Sequence, residues 1–342
     1  IRGAPIRDAP WPITLGWILL WCVGCVLLMS RTRPAAAAFT ALGVIAACLV
    51  ATGFLHARAD LVMPGGLVLG SLLVVGAFTL VSDHVQTAKE LHAEEVENER
   101  VRKELETARA TQERFLPDEI PEVPGLDVWG TNVSSLAVSG DYFDVIDLGD
   151  GKPLVFTIAD VSGKGLPAAL LMSNVQAGLH CHAFQGEFDL KLTAENLNRL
   201  VHRNTDEGKF VTLFLGAIDK ETRALRYVRA GHDNPILVSA DGDVRQLSEG
   251  SFMLGFIPET EYDIAEVSLK EGDVLCLYTD GVTEARNPAD EEFELEGIVR
   301  VVTERREDDA EAIGKALLAS VRGFSQLERQ ADDVTLIVIK VG

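Results

Sequence analysis

The sequence predicts an α+β domain in its C-terminal two-thirds, preceded by an apolar N-terminal quarter and a long charged helix. Three observations predict it. Apolar, partly β-branched runs are joined by tight turns at 149–151, 220–222 and 241–242, which are antiparallel hairpin signals. Segments of helical periodicity are inserted between these hairpins and do not alternate with single strands, which argues against a parallel doubly wound sheet. A proline-rich stretch, PDEIPEVPG at 117–125, separates this domain from what precedes it.

The chain has 342 residues and a net charge of −21. Residues 1–82 carry Arg2, Arg7, Arg31, Arg33 and Arg58 against Asp8 and Asp60, a net of +3, which leaves −24 on the rest. So acidic a remainder excludes nucleic acid as partner, because binding phosphates needs a basic face. Three uncharged apolar stretches fill the first quarter, at 11–29, 34–55 and 61–82. Each is long enough to cross a hydrocarbon core of about 30 Å as a helix. A signal peptide followed by core helices fits less well, since no cleavage-site pattern precedes the second stretch. Arg31 and Arg33 between the first two stretches favour a cytoplasmic connection. The expectation is a multi-pass protein of the inner (plasma) membrane with its C-terminal domain in the cytoplasm. The sequence begins at Ile1, which leaves a further span upstream open.

The five cysteines give no disulfide framework. Cys22 and Cys25 form a CxxC, but inside an apolar stretch they read as small helix-packing residues. Cys181 lies between His180 and His182, and consecutive helical residues diverge by about 100°, so the triplet reads as structural or surface rather than metal-binding.

From 83 to 116 the chain is charged and free of glycine and proline. Leu91, Asn98, Val101, Leu105, Ala108, Gln112 and Phe115 recur in steps of seven, three and four, as in a coiled-coil seam. Glu99 with Lys103 and Arg102 with Glu106 are spaced to support the exposed faces. The expectation is a signalling helix that forms a homodimer, with polar Asn98 and Gln112 leaving two packings close in energy. Beyond the linker, strand-like runs begin at LDVWGTN, YFDVIDLGDGKPLVFTIAD, TLFLGAIDKETRALRYVRAGH, PILVSADGDVRQLS and DVLCLYTDG. Helices are predicted at 166–184, 193–205, 295–305 and 309–324, and a last strand at 334–341. The organisation is therefore 1–82 membrane domain, 83–116 signalling helix and 117–342 globular domain.

Four acids recur at strand edges beside turn residues: Asp141 in SGDYFD, Asp160 in ADVSGKG, Asp280 in YTDG and Asp332 in ADDVT. Carboxylates gathered on one rim suit hard divalent cations such as Mg²⁺ and Mn²⁺. The GKG of residues 163–165 lacks the spacing of a nucleotide P-loop.

Taken in order, SGDYFDV, ADVSGKGLPAALLM, RAGHDNPILV, GDVLCLYTDGVTEARN and ADDVTLIVI resemble the SpoIIE-like bacterial branch of the metal-dependent (PPM, type 2C) protein serine/threonine phosphatases. The resemblance covers residues 110–341 and starts at ATQERFLP, similar to the helix that leads into that family's domain. It implies a four-layer αββα sandwich with two or more divalent cations, Mn²⁺ or Mg²⁺, between the sheets. It implies Asp160 as the bridging acid and Asp141, the Val161 carbonyl, Asp280 and Asp332 as further ligands, with Asp160 and Asp141 central to catalysis. Asp333 and Asp144 are expected farther from the cations. Gly163 and Gly165 permit the tight turn after the bridging acid. His232 is either a general acid or, preferably, a turn histidine that organises its hairpin.

The implied activity is hydrolysis of phosphoserine or phosphothreonine on a regulatory protein, by a hydroxide bridging two cations. The expected substrate is a STAS-type anti-sigma-factor antagonist. Two alternatives are a phosphatase of small metabolites and a non-catalytic membrane scaffold for the same partner.

Overall fold

The structure, a computed structural model, describes residues 7–8, 61–62, 65–117, 119–205, 208–326 and 330–342. The apolar stretches 11–29 and 34–55, with Cys22 and Cys25, lie outside the described residues. Residues 1–101 and 102–342 form two compact units.

In the first unit, β1 (Arg7–Asp8) pairs in parallel with β2 (Leu61–Val62). Helix α1 (Gly65–Gln112) starts well before the predicted residue 83, because nothing between the third apolar stretch and the charged segment breaks a helix. Arg102 and Glu106 pair one turn apart at 3.0 Å, as their spacing predicts. Leu91, Asn98 and Val101 of the expected seam are exposed. Among the described residues no helix is long and apolar enough to cross a membrane. A 3₁₀ turn (Glu113–Phe115) follows α1, and Leu116 is extended, as a residue before proline tends to be.

The second unit holds two five-stranded antiparallel sheets. In the first, the order is β10 (Ala265–Ser268), β7 (Ala224–Ala230), β6 (Val211–Ile218), β5 (Leu154–Val161), β4 (Tyr142–Asp147). In the second it is β3 (Leu126–Val133), β12 (Val334–Val341), β11 (Val274–Tyr278), β8 (Ile236–Val238), β9 (Val244–Gln246). Each predicted hairpin closes an antiparallel pair: β4 with β5, β6 with β7, β8 with β9. The helices are α2 (Leu166–Ala183), α3 (Leu190–Asn204), the short α4 (Asp280–Thr283), α5 (Glu294–Arg305) and α6 (Ala310–Ser325). Asp189 caps α3 through the Leu192 amide and Asp309 caps α6 through the Ala312 amide, which fixes where both begin.

Strand alternation builds three apolar layers. On β5, Val155, Ala159 and Val161 pack with Met172, Val175 and Leu197 of the helices α2 and α3. Leu154, Phe156 and Ile158 face the other way and meet Leu275, Leu277, Ile337 and Ile339 of the second sheet. The outer face of that sheet, with Cys276, Leu336 and Val338, is covered by Ile298, Val302, Ile313 and Leu317 of α5 and α6. The result is the expected αββα sandwich. Between the sheets Phe214 stacks on Phe156 at 6.1 Å and on Tyr227 at 4.9 Å. A Cβ on Gly216 would come within 2.4 Å of the Phe156 ring, so this strand needs glycine there. Truncating Phe214 to alanine would cost about 3–5 kcal/mol.

Candidate active site

The same alternation decides which acids face each other. Asp160 shares the inter-sheet face of β5 with Phe156 and Ile158, at the strand's end. Tyr142 pairs with Ala159 across the β4–β5 hairpin, which brings the flanking acids Asp141 and Asp160 side by side. Both carboxyls are held above the ordinary aspartate range. For Asp141 burial is the largest cause and the charge of Asp160 the second. For Asp160 burial again leads, with Asp332 and Asp333 adding negative charge and a hydrogen bond with Asp141 opposing.

The second sheet grips Asp141. Thr279, just after β11, and Thr335, on β12, donate their hydroxyls to Asp141 Oδ2 at 2.7 and 2.6 Å. Sequence reasoning missed both threonines. They sit inside YTDG and ADDVT, at the inter-sheet parity of otherwise apolar strands, and that parity was the available signal.

Asp280 opens α4, directly after Thr279. Burial first, then Asp160 and Asp332, push its carboxyl up to about 7. Gly281 beside it is required by close packing, since a Cβ there would meet the Asp333 carbonyl at 1.9 Å. Asp233 and exposed Glu284 also bear on this group. The Asp233 carboxyl is itself raised, by partial loss of solvent first and then by Glu284 and Asp160. Neither acid was singled out from sequence, although Glu284 lies one helical turn after Asp280.

Asp332 is half-buried and accepts an ion pair from Lys164 at 2.8 Å. Asp333 organises the approach to Asp141. Its two oxygens accept the Ser135 amide and hydroxyl, the Ser139 hydroxyl and the Gly140 amide at 2.7 to 2.9 Å. Ser139 Oγ in turn accepts the Asp141 amide at 3.0 Å. Gly140 lies against the Val161 carbonyl, 3.4 Å from where a Cβ would be. Gly163 and Gly165 take positive φ of 100° and 77°, the turn expected after Asp160, and Gly165 leads into α2.

Two residues stand apart. Asp144 faces the opposite side of β4 from Asp141 and accepts the Tyr142 hydroxyl, the Val145 amide and, at 2.6 Å, a contact from His180 Nε2. It ties α2 to the sheet, so its place outside the cluster follows from odd and even parity, and His180 is structural as expected. His182 contacts Asn196 on α3.

His232 is buried, with Nδ1 2.9 Å from Thr212 Oγ1, and Arg229 donates to its carbonyl at 2.6 Å. Thr212 is the β6 partner of Asp160. Burial lowers the imidazole to about 3, only partly opposed by the Tyr278 backbone. A neutral ring has no proton of the right acidity for a leaving alkoxide. His232 therefore reaches Asp160 only through Thr212, its strand partner.

The donor set is hard oxygen throughout, and the carboxyls of Asp141, Asp160 and Asp280 are raised by burial first and by neighbouring carboxylates second, a negative charge that cations would offset. In that chemical sense the residues fit divalent cations. Among the described residues no three His, Cys, Asp or Glu side chains close around one point.

Comparison with known proteins agrees with this fold. The sequence model of Stage II sporulation protein E (SpoIIE) matches residues 150–342. Phosphoserine phosphatase RsbU of Bacillus subtilis is 29% identical over 241 residues, 70% of each chain. Protein IcfG of Synechocystis is 29% identical over 280 residues, 73% of this chain, which spans only 43% of IcfG. Among solved structures, the SiaA PP2C domain of Pseudomonas aeruginosa superposes with a TM-score of 0.63 at 17% identity, over 72% of this chain and 98% of that one. The RsbU and RsbW domains of Rv1364c from Mycobacterium tuberculosis give 0.57 at 26% identity, covering 66% and 63%. With more than half of its length matched, the chain belongs to the SpoIIE family of PP2C-type protein serine/threonine phosphatases.

Proposed function

We propose that this protein is a membrane-anchored, metal-dependent phosphatase that removes phosphate from serine or threonine of a regulatory protein. The observation that supports the reading is the electrostatic influence that Asp141, Asp160, Asp280 and Asp332, from four distant segments, exert on one another. Asp141, Asp160, Asp280, Asp332 and the Val161 carbonyl would hold the divalent cations. When bound, such cations lower the pKa of water and neutralise charge on phosphoryl oxygens. The chain's own residues do the rest. Thr279 and Thr335 fix the Asp141 carboxylate, Asp333 fixes the loop that carries it, and neutral His232 holds the Asp160 strand.

Asp332 and Asp280 are only partly buried, so the rim is open to a phosphorylated side chain presented by another protein. RsbU is named a phosphoserine phosphatase, which supports a phosphorylated serine as substrate; the partner proposed from the sequence resemblance is a phosphorylated STAS-type anti-sigma-factor antagonist. Anchoring in the inner membrane rests on the three apolar stretches and on Arg31 and Arg33, and a homodimer through α1 rests on the spacing of Leu91, Asn98, Val101 and Leu105. Incubation of the protein with phosphorylated STAS proteins, with and without Mn²⁺, tests the reading. Release of phosphate only with the metal is expected, and Mn²⁺-dependent release from small phosphate esters alone would remove the protein substrate.

A further inference from the structure

Lys164 stands between the two positive-φ glycines of the turn after Asp160. Its ammonium crosses from the first sheet to the second, 2.8 Å from Asp332 Oδ2 and donating to the Ala331 carbonyl at 3.1 Å. On the other side of the same turn Lys209 donates to the Ser162 carbonyl at 3.2 Å. Only Lys164 of these two meets an acid of the cluster.

The Lys164 side chain is 50% exposed and that of Asp332 36%. An ion pair this exposed adds little to the stability of a fold. Its position is therefore better explained by the site than by packing. The Asp332 oxygen that Lys164 occupies belongs to the acid that the phosphatase reading assigns to a cation. An ammonium and a divalent cation compete for that oxygen, and the doubly charged ion has the stronger attraction at equal distance. Once displaced, the ammonium remains tethered at the rim by a turn whose glycines allow it to reorient. A phosphoryl group is the anion that the reaction brings there, and lysine binds phosphate as a compact point charge.

We propose that Lys164 is a substrate-phosphate-binding residue that rests on Asp332 and passes to the phosphoryl group when a divalent cation takes Asp332. The inference rests on the phosphatase reading and adds to it a residue that couples metal loading to substrate capture. It predicts opposite effects of one substitution on two ligands. Lys164→Met removes a competitor for Asp332 and should tighten Mn²⁺, while it removes a phosphate contact and should weaken phosphate.

The full-length protein, Lys164→Met, Lys164→Arg and Lys209→Met are compared by calorimetric titration with Mn²⁺ alone, and then with inorganic phosphate on the Mn²⁺-loaded protein. Lys164→Met is expected to bind Mn²⁺ several-fold more tightly and phosphate about tenfold more weakly, the size of one charge-assisted hydrogen bond. Lys164→Arg should stay near wild type for phosphate. Lys209→Met, the same charge change on a carbonyl contact, should leave Mn²⁺ affinity near wild type. Unchanged affinity of Lys164→Met for either ligand, or an equal gain in Lys209→Met, overturns the exchange. If the unsubstituted protein hydrolyses phosphoprotein while Lys164→Met matches it in both titrations, the inference fails and the phosphatase reading stands. Failure of the unsubstituted protein to bind Mn²⁺ removes both.

Discussion

Gln112 and Ser139 exchange two hydrogen bonds, from Gln112 Nε2 to the Ser139 carbonyl at 2.6 Å and from the Ser139 amide to Gln112 Oε1 at 2.9 Å. The last residue of α1 thus grips the residue whose hydroxyl contacts both Asp333 and the Asp141 amide. Heptad spacing had placed Gln112 in a seam with Asn98, whereas its side chain is buried against the domain. Gln112→Leu should therefore cost about 1–3 kcal/mol through the unpaired Ser139 backbone and lower turnover by loosening the Asp141 approach. Asn98→Leu, on an exposed face, should do neither. Thermal unfolding and phosphate release on both variants check this, and equal effects would return Gln112 to the seam.

Asp160→Asn should abolish nearly all Mn²⁺-dependent turnover while raising the melting temperature in EDTA. The neutral amide removes one charge from a cluster in which Asp141 and Asp280 are already raised by that charge. Wild-type turnover in this variant would show that the cations are held elsewhere.

The stability of the chelated protein should fall as pH rises from about 4 towards 7. Asp280 binds its proton up to about 7 in the folded state against an ordinary 3.8, so the folded protein holds more protons than the unfolded one across that window. Stabilisation from this group is complete below the unfolded value and lost as pH climbs through the folded one. Mn²⁺ should restore the melting temperature at the upper end and act least at the lower. A pH-independent melting curve in EDTA would contradict the burial and charge that raise Asp280.

Thr335→Val keeps the shape of the side chain and deletes one hydroxyl from the Asp141 carboxylate. That hydroxyl lowers the carboxyl's proton affinity, so its loss should raise it further. The acidic limb of the pH–rate profile should move to higher pH, with a stability loss of about 1–3 kcal/mol in the Mn²⁺-loaded protein. A profile that does not move would mean that Thr279 alone holds Asp141.

His232→Gln should lower stability but leave the basic limb of the same profile in place, because the imidazole is neutral across the working range. Loss of that limb would make His232 the proton donor after all.

Much of this fold could be read from residue order. The hairpins at 149–151 and 220–222, the helix near Leu166 and the last strand follow from local turn chemistry and periodicity. Asp141, Asp160, Asp280 and Asp332 stood out because each interrupts an apolar edge. The rest depends on which strands become neighbours. Nothing local to Thr335 shows that Asp141 will lie opposite it, and nothing in the α1 heptads shows that Gln112 will meet Ser139. Strand β10 was missed because AEVS is short and half-exposed, a weak signal against its surroundings.

The grip of Thr279 and Thr335 on Asp141 joins an acid of one sheet to hydroxyls of the other. Neither sheet alone holds both Asp141 and these hydroxyls, so the arrangement exists only once the two sheets have docked. A chain that has emerged or refolded halfway is silent, and for a protein proposed to set the phosphorylation state of a regulator, that silence prevents immature copies from sending a signal of their own.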